Sequence, residues 1–364
     1  PNVSLYGGFA GTETSLAARD TAKNPTILDG DGKIKVINQD LSFADGAAVV
    51  VDGFTIQNGY ATYGGGAYLR KNTTVNNCIF KNNTATYYGL AIYANNAKIK
   101  NTLICNNSST DAYSTVYLDN YSEMDSCVVK NNTAYYHSGL CGNYSTVSNT
   151  NINHNKNLYT SSYSPVQLSY SSKLINSVIE NNYGAYGGIY IYSSSSVKNS
   201  KISNNVSARY SVAHIDNYSK IEDSEISGNE SVEHEILYVN SSSRMDRCKV
   251  FNNVVDKNHN IVNIQYSSVL SNSLFYGNTN VNSSSVPLRL YNDAKVINTT
   301  FVDNETSAST AVYSYNSSVA NSILVGTKFV GSFSKYLDLS GSNTFSHTMI
   351  EGGVAGEGNI SGSM

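Results

Sequence analysis

A seven-residue pattern that returns every 23 to 27 residues constrains this chain more than any other feature. Its first clear copy is NCIFKNN from Asn77. It comes back as NTLICNN at Asn101, SCVVKNN at Ser126, NTNINHN at Asn149, NSVIENN at Asn176 and NSKISNN at Asn199. DSEISGN at Asp223, RCKVFNN at Arg247, NSLFYGN at Asn272, NTTFVDN at Asn298 and NSILVGT at Asn321 complete the series. Self-similarity at a fixed period of this length marks a repeat architecture, in which each unit buries its apolar face only by stacking on its neighbours.

The columns of the repeat show which way its residues point. Two residues before each anchor stand Val75, Ile99, Met124, Val147, Leu174, Val197, Ile221, Met245, Leu270, Val296 and Val319. Three after it stand Phe80, Ile104, Val129, Ile152, Ile179, Ile202, Ile226, Val250, Phe275, Phe301 and Leu324. Both columns are apolar throughout and face a core, whereas the residue two after the anchor runs from Ile79 to Lys201 to Glu225 and faces solvent. The position just after the anchor holds only Cys, Thr or Ser, which suits a tight bend with little room. The Asn that ends each unit is placed to stack on its neighbours as an amide ladder that satisfies the backbone of the turn.

Apolar positions alternate over short runs and never keep an i, i+3, i+4 spacing over a helical length, so the units are strands and turns. A leucine-rich repeat has a similar period but needs Leu at fixed positions, where this chain exchanges Ile, Val, Phe and Met freely. The expected fold is all-β, a single-stranded right-handed parallel β-helix of about a dozen rungs with three short strands in each. One continuous domain is expected, with an N-terminal cap and first rungs over 1–52, regular rungs over 53–335 and a closing segment over 336–364. Ser15 to Arg19 is the one stretch that reads as a helical turn, placed to cap the first rung. Asp29 and Asp31 read as turn residues rather than as a Ca²⁺ loop, because the remaining ligands of such a loop are missing.

Charged residues make up 14% of the chain and the formal net charge is −3, which argues against nucleic acid or an anionic membrane as partner. No run approaches a transmembrane length, so this fragment is not expected to insert into a membrane. The opening at Pro1 reads as the start of a mature or excised fragment, with neither signal nor anchor in it. Of the five cysteines, Cys78, Cys127 and Cys248 share the small column but lie at least two rungs apart, beyond the ~7 Å Cα separation of a disulfide. Cys105 and Cys141 occupy other columns, and all five read as small buried thiols.

The opening LYGGFAGTET, the NPTILDGDG that follows it, the GGGAY unit at 64–68 and the F-x-x-N units at Phe80, Phe275 and Phe301 carry a family resemblance. With the closing IEGGVAGEGNI, they resemble the repeats of polymorphic outer-membrane proteins. The resemblance implies a right-handed parallel β-helix of the pectate-lyase-like superfamily, displayed on a bacterial surface or secreted. That superfamily holds lyases, glycosidases, tailspikes and adhesins, so its functional implication is broad. In the middle of the chain the GGA motif departs to GLA, STV, SPV and SVA.

Function is expected on an outward face of the first strand of each rung. One outward column reads Tyr68, Tyr93, Tyr117, Cys141, Gln167, Tyr190, His214, Tyr238, Asn263, Arg289 and Tyr313. The next holds Arg70, Asp119, Tyr192, Asp216, Gln265, Tyr291 and Tyr315 among its members. Tyrosine with Ser, Asn and Asp is the composition of recognition surfaces, because a stiff amphipathic ring gives contact area at low entropic cost. Tyr is also simply a good strand residue whose neighbours stack. The residues expected to bind are Tyr68, Tyr93, Tyr117, Asp119, Tyr190, Tyr192, His214, Asp216, Tyr238, Tyr291, Tyr313 and Tyr315, along a long, flat face suited to an extended ligand. The expected partner is a glycan or a surface component of a host or neighbouring cell.

No catalytic residue, metal or cofactor is assigned. Glycosidase carboxyls stand roughly 5 to 9.5 Å apart, whereas Asp119 and Asp216 lie four rungs apart. His214 and Asp216 share the face, and Glu222 and Asp246 stack in adjacent rungs beside Lys198, which reads as a compensated surface ion ladder. A polysaccharide lyase or glycoside hydrolase on the same fold is the alternative reading, and a structural spacer or stalk the second alternative.

Overall fold

The computed structural model describes residues 3–41, 48–280 and 284–362. The extreme ends of the expected cap and closing segment, 1–2 and 363–364, and residues 42–47 lie outside the described residues. The fold is an all-β parallel solenoid of about 13 turns, close to the dozen expected. Among the described residues the one helical element is a 3₁₀ turn over Leu16–Ala18, inside the segment expected to turn. The chain divides into two compact units. The first runs to Tyr159 and takes in Tyr163–Gln167 and Ser171–Val178; the second holds Thr160–Ser162, Leu168–Tyr170 and everything from Ile179 onward.

Each turn contributes one strand to each of three parallel sheets. In the first unit Val75, Ile99, Met124, Val147 and Leu174 stand in register on successive strands of one sheet. Phe80, Ile104, Val129 and Ile152 do the same on the next sheet. In the second unit the corresponding rows run from Val197 to Val319 and from Ile202 to Leu324. These side chains are buried, most of them completely. Each fully buried aliphatic contributes roughly 1.5–3 kcal/mol of transfer free energy, so the core is built rung by rung. A fourth ladder of two-residue strands, such as Thr133–Ala134 beside Lys156–Asn157, adds to the three strands expected in each rung.

The polar columns explain why the repeat begins and ends with Asn. Its last Asn forms the expected ladder. In the first unit Asn83, Asn107, Asn132 and Asn155 are buried, and each Nδ2 donates to the Oδ1 of the next at 2.9–3.1 Å. In the second unit Asn182, Asn205, Asn229, Asn253, Asn278 and Asn304 repeat the arrangement. The first Asn, and the one before the ladder, have a different task. Asn77, Asn101, Asn176 and Asn199, with Asn82, Asn106, Asn181 and Asn204, sit at φ between 47° and 56°, inside the range where Asn is the best-tolerated side chain after glycine. The small column is buried as expected. Ser177 Oγ, for example, donates to Ile175 O and accepts the Thr150 amide. The GGG stretch at 64–66 has a similar steric cause: a Cβ on Gly65 would lie 2.0 Å from the Thr84 carbonyl oxygen of the next turn.

All five cysteines are free and buried. Asp29 accepts from the Asp31 amide, Gln57 and Asn58, which is turn chemistry. The ion ladder differs from expectation in depth. Asp246 is in register with Glu222, but it is 1% exposed and accepts from Ser271, Asn272, Arg244 and Arg247. Arg247 reaches back to Asp223 at 2.6 Å, a pairing that anchor-position Arg makes possible and that the column of charges alone does not reveal.

Candidate functional site

The first strands place the expected tyrosines side by side, because parallel in-register pairing repeats each outward position on the next turn. In the first unit Tyr68, Tyr93 and Tyr117 occupy one register row. Their rings stack at 4.8 Å and 5.2 Å between centroids, with interplanar angles of 7° and 19°. Lys35 Nζ lies 4.6 Å and the Arg70 guanidinium 5.1 Å from the Tyr68 ring, a cation at the end of the stack. Asn143 Nδ2 donates to the Tyr117 hydroxyl at 2.7 Å, which fixes that ring. Asp119 stands beside Asn95 and one pleat from Tyr117, and burial raises its carboxyl above the usual range.

In the second unit Tyr190, His214 and Tyr238 share the corresponding row. Their rings meet at 4.7 Å and 4.7 Å, and Tyr192 stacks on Tyr190 at 5.0 Å. Asp216 accepts from Asn240 at 3.2 Å, and Ser211 Oγ lies 3.2 Å from His214 Nδ1, so His214 takes Ser211 rather than Asp216 as its partner. Burial pushes the His214 imidazole down to about 4, so it is neutral at pH 7. Burial pushes the Tyr190 and Tyr238 phenols up to about 12, so both remain hydroxyls able to donate and accept. Farther along, Tyr291 and Tyr315 stack at 4.9 Å with the Arg289 guanidinium 4.9 Å from the Tyr291 ring. Tyr313 follows Arg289 in register.

The face is neither flat nor freely open, and this corrects the expectation. Cys141 is 2% exposed and Asn263 4%, although both stand in the outward row. Several of the segments that lead into a first strand carry a second set of aromatic rings, and some of these lean over the row. Tyr88 meets Tyr117 at 4.3 Å and Tyr186 meets Tyr190 at 5.1 Å, while Tyr136 and Tyr163, both in lead-in segments, meet each other at 4.0 Å. The result in each unit is a stepped aromatic wall. The signal was present in the sequence as the Tyr-Tyr doublets 87–88 and 135–136 and as Tyr113, Tyr163, Tyr186 and Tyr210, each a few residues ahead of a first strand. Loop residues have no alternation to assign their direction, so the columns passed over them.

Behind Tyr186 in the second unit the wall opens into a cleft of about 450 Å³. Tyr210, His214, Asp216, Glu235, Tyr238 and Asn263 line it. Glu235 was not among the expected residues. Burial pushes its carboxyl up, but His234 Nδ1 at 3.3 Å and the Asn263 amide donating at 2.7 Å outweigh that and hold it below the usual carboxylate range. Tyr121 in the first unit and Tyr218 in the second, 72% and 71% exposed, each stand at a left-handed corner outside the row, and sequence reasoning missed both.

No family model and no curated protein matches the sequence. Solved structures similar to it include a tailspike protein of E. coli bacteriophage HK620 in complex with a hexasaccharide, at 12% identity over 88% of this chain and 72% of that one, TM-score 0.39. PfbA, a surface adhesin of Streptococcus pneumoniae, is 9% identical over 82% of each chain, TM-score 0.33. The endo-xylogalacturonan hydrolase from Aspergillus tubingensis is 9% identical over 99% of each chain, TM-score 0.23.

Proposed function

We propose that this chain is an extracellular binding protein that holds a carbohydrate chain, or a surface component of another cell, against its tyrosine-rich rows. The observation that carries the reading is the ring ladder itself: Tyr68, Tyr93 and Tyr117 in one unit, and Tyr190, His214 and Tyr238 in the other, spaced by one strand each. Sugar rings offer C–H faces that pack on aromatic faces and hydroxyls that need donors and acceptors. The rows supply both, with phenol rings and their hydroxyls and with Asp119, Asp216 and Asn240 beside them. Parallel pairing holds the rings before the ligand arrives, which lowers the ordering cost of binding. The quoted surface-repeat motifs fit a protein displayed on or released from a bacterial cell.

Hydrolysis is the second reading, because Asp216 and Glu235 line one cleft. A glycosidase needs one carboxyl held protonated as general acid. Glu235 is instead held ionised by its hydrogen bonds, so it does not supply that acid. The test is a screen of the intact chain against a broad glycan and cell-surface panel, with a reducing-end assay on each ligand retained. Retention without new reducing ends is the expected result. Release of reducing ends that Glu235→Gln abolishes would replace this reading with hydrolysis.

A further inference from the structure

Outside the aromatic rows, one group of side chains in the second unit has metal-ligand chemistry. His234, Glu235 and His259 each bring a donor atom to within 4.8 Å of the other two. His234 and Glu235 are adjacent in the segment that leads into the Leu237–Val239 strand, and His259 stands in the equivalent segment one turn on. Parallel stacking of turns therefore brings them together: the two imidazoles lie with centroids 4.0 Å apart, and His234 Nδ1 is 3.3 Å from Glu235 Oε2.

The carboxylate is oriented from behind. Asn263 Nδ2 donates to Glu235 Oε1 at 2.7 Å, which leaves Oε2 directed toward the imidazoles. Gln265 Nε2 in turn donates to Asn263 Oδ1 at 2.8 Å. A ligating carboxylate held through its other oxygen by a chain of amides is the arrangement that tunes and preorganises metal sites. Glu235 is 4% exposed, so it is a costly residue to leave without a strong partner, whereas both imidazoles keep solvent access through a second cleft. Asp256 and Glu233 line that cleft together with Arg209 and Lys257, and Lys257 pairs with Glu233 at 3.0 Å, so the entry is balanced in charge.

We propose that His234, Glu235 and His259 bind one divalent transition-metal ion, zinc by preference. Two imidazoles and one carboxylate suit zinc, which takes nitrogen and oxygen ligands at roughly 2.0–2.2 Å in a tetrahedral set completed by water. Such bonds place the donor atoms roughly 3.4 Å from one another, so the group contracts modestly on binding and the stacked rings turn their nitrogens toward the ion. Calcium and magnesium are disfavoured because they take all-oxygen shells.

The test starts from chain dialysed against chelator and titrates it with zinc chloride by calorimetry, with cobalt(II) as the spectroscopic probe. One zinc per chain at micromolar affinity or better is expected, and cobalt should give visible d–d absorption. His234→Ala and His259→Ala should each weaken zinc binding at least tenfold, and Asn263→Ala about tenfold through the lost support of Glu235. His154→Ala, at an exposed histidine of the first unit, should leave binding unchanged. The half-exposed histidines keep the test valid even if variants of buried Glu235 fail to fold. Absence of zinc binding, or affinity untouched by both His234→Ala and His259→Ala, overturns the proposal.

Discussion

Asn229 is hydrogen-bonded at every polar atom it owns. Its Nδ2 donates to Ile202 O and Asn253 Oδ1, its Oδ1 accepts from the Asn205 amide and Asn205 Nδ2, and its own backbone is paired on both sides. Asn229→Ala should therefore cost roughly 2–4 kcal/mol in chemical denaturation, most of it from buried donors on Asn205 left without an acceptor. His137 in the first unit supplies a test of opposite kind. It is buried among Tyr113, Tyr163 and Ser164, and its Nδ1–H donates to Ser164 O at 2.8 Å. Burial lowers its imidazole from 6.5 to about 4. The unfolded chain binds the proton first, so this stabilisation is complete above pH 6.5 and is lost as pH falls toward 4. Unfolding at pH 4.5 should show about 2–3 kcal/mol less stability from this residue than at pH 7, and His137→Gln should remove that part of the pH dependence.

Within each strand-and-corner element, left-handed corners decide which substitutions a turn tolerates. Asn199 has φ of 50° and its amide donates to Glu222 O across the rung. Asn199→Gly should change stability by no more than about 0.5 kcal/mol, whereas Asn199→Ile should cost roughly 1–2 kcal/mol, read as a shift in the urea midpoint. The contrast separates corner geometry from the ladder, where Gly would be as damaging as Ala. Strand direction and the ladder were legible in the sequence because Val75, Ile99 and Met124, or Asn83, Asn107 and Asn132, recur at one offset. The aromatic wall was only half legible. Tyr68 and Tyr117 lie on strands whose alternation assigns their faces, whereas Tyr88, Tyr136 and Tyr186 lie on irregular segments whose direction depends on tertiary packing. The His234–Glu235–His259 group was hidden for the same reason, since residues on two different turns meet only after stacking.

Across the described residues the core is mostly aliphatic, with Phe80, Phe275 and Phe301 among it, and the thiols are dispersed through it. Desolvation pushes Cys127, Cys141 and Cys248 up to about 12, and Cys78 to about 11, so none is a reactive thiolate at neutral pH. A thiol-reactive chromophore should count five thiols in denaturant and close to none in the native protein, and reductant should leave the thermal midpoint where it was. The central claim, that the stacked rows are the binding surface, is tested most directly by the affinity of ring-deleted proteins for a ligand the native chain retains. Tyr93→Ala with Tyr117→Ala removes the row of the first unit, Tyr190→Ala with Tyr238→Ala that of the second, and Tyr121→Ala with Tyr218→Ala removes exposed corner rings as a control. With circular dichroism unchanged, at least one row variant should lose binding by about tenfold or more, since each buried aromatic contact is worth about 1–2 kcal/mol, and the corner variant should bind as the native chain does. Full affinity in both row variants, or a loss confined to the corner variant, would contradict it.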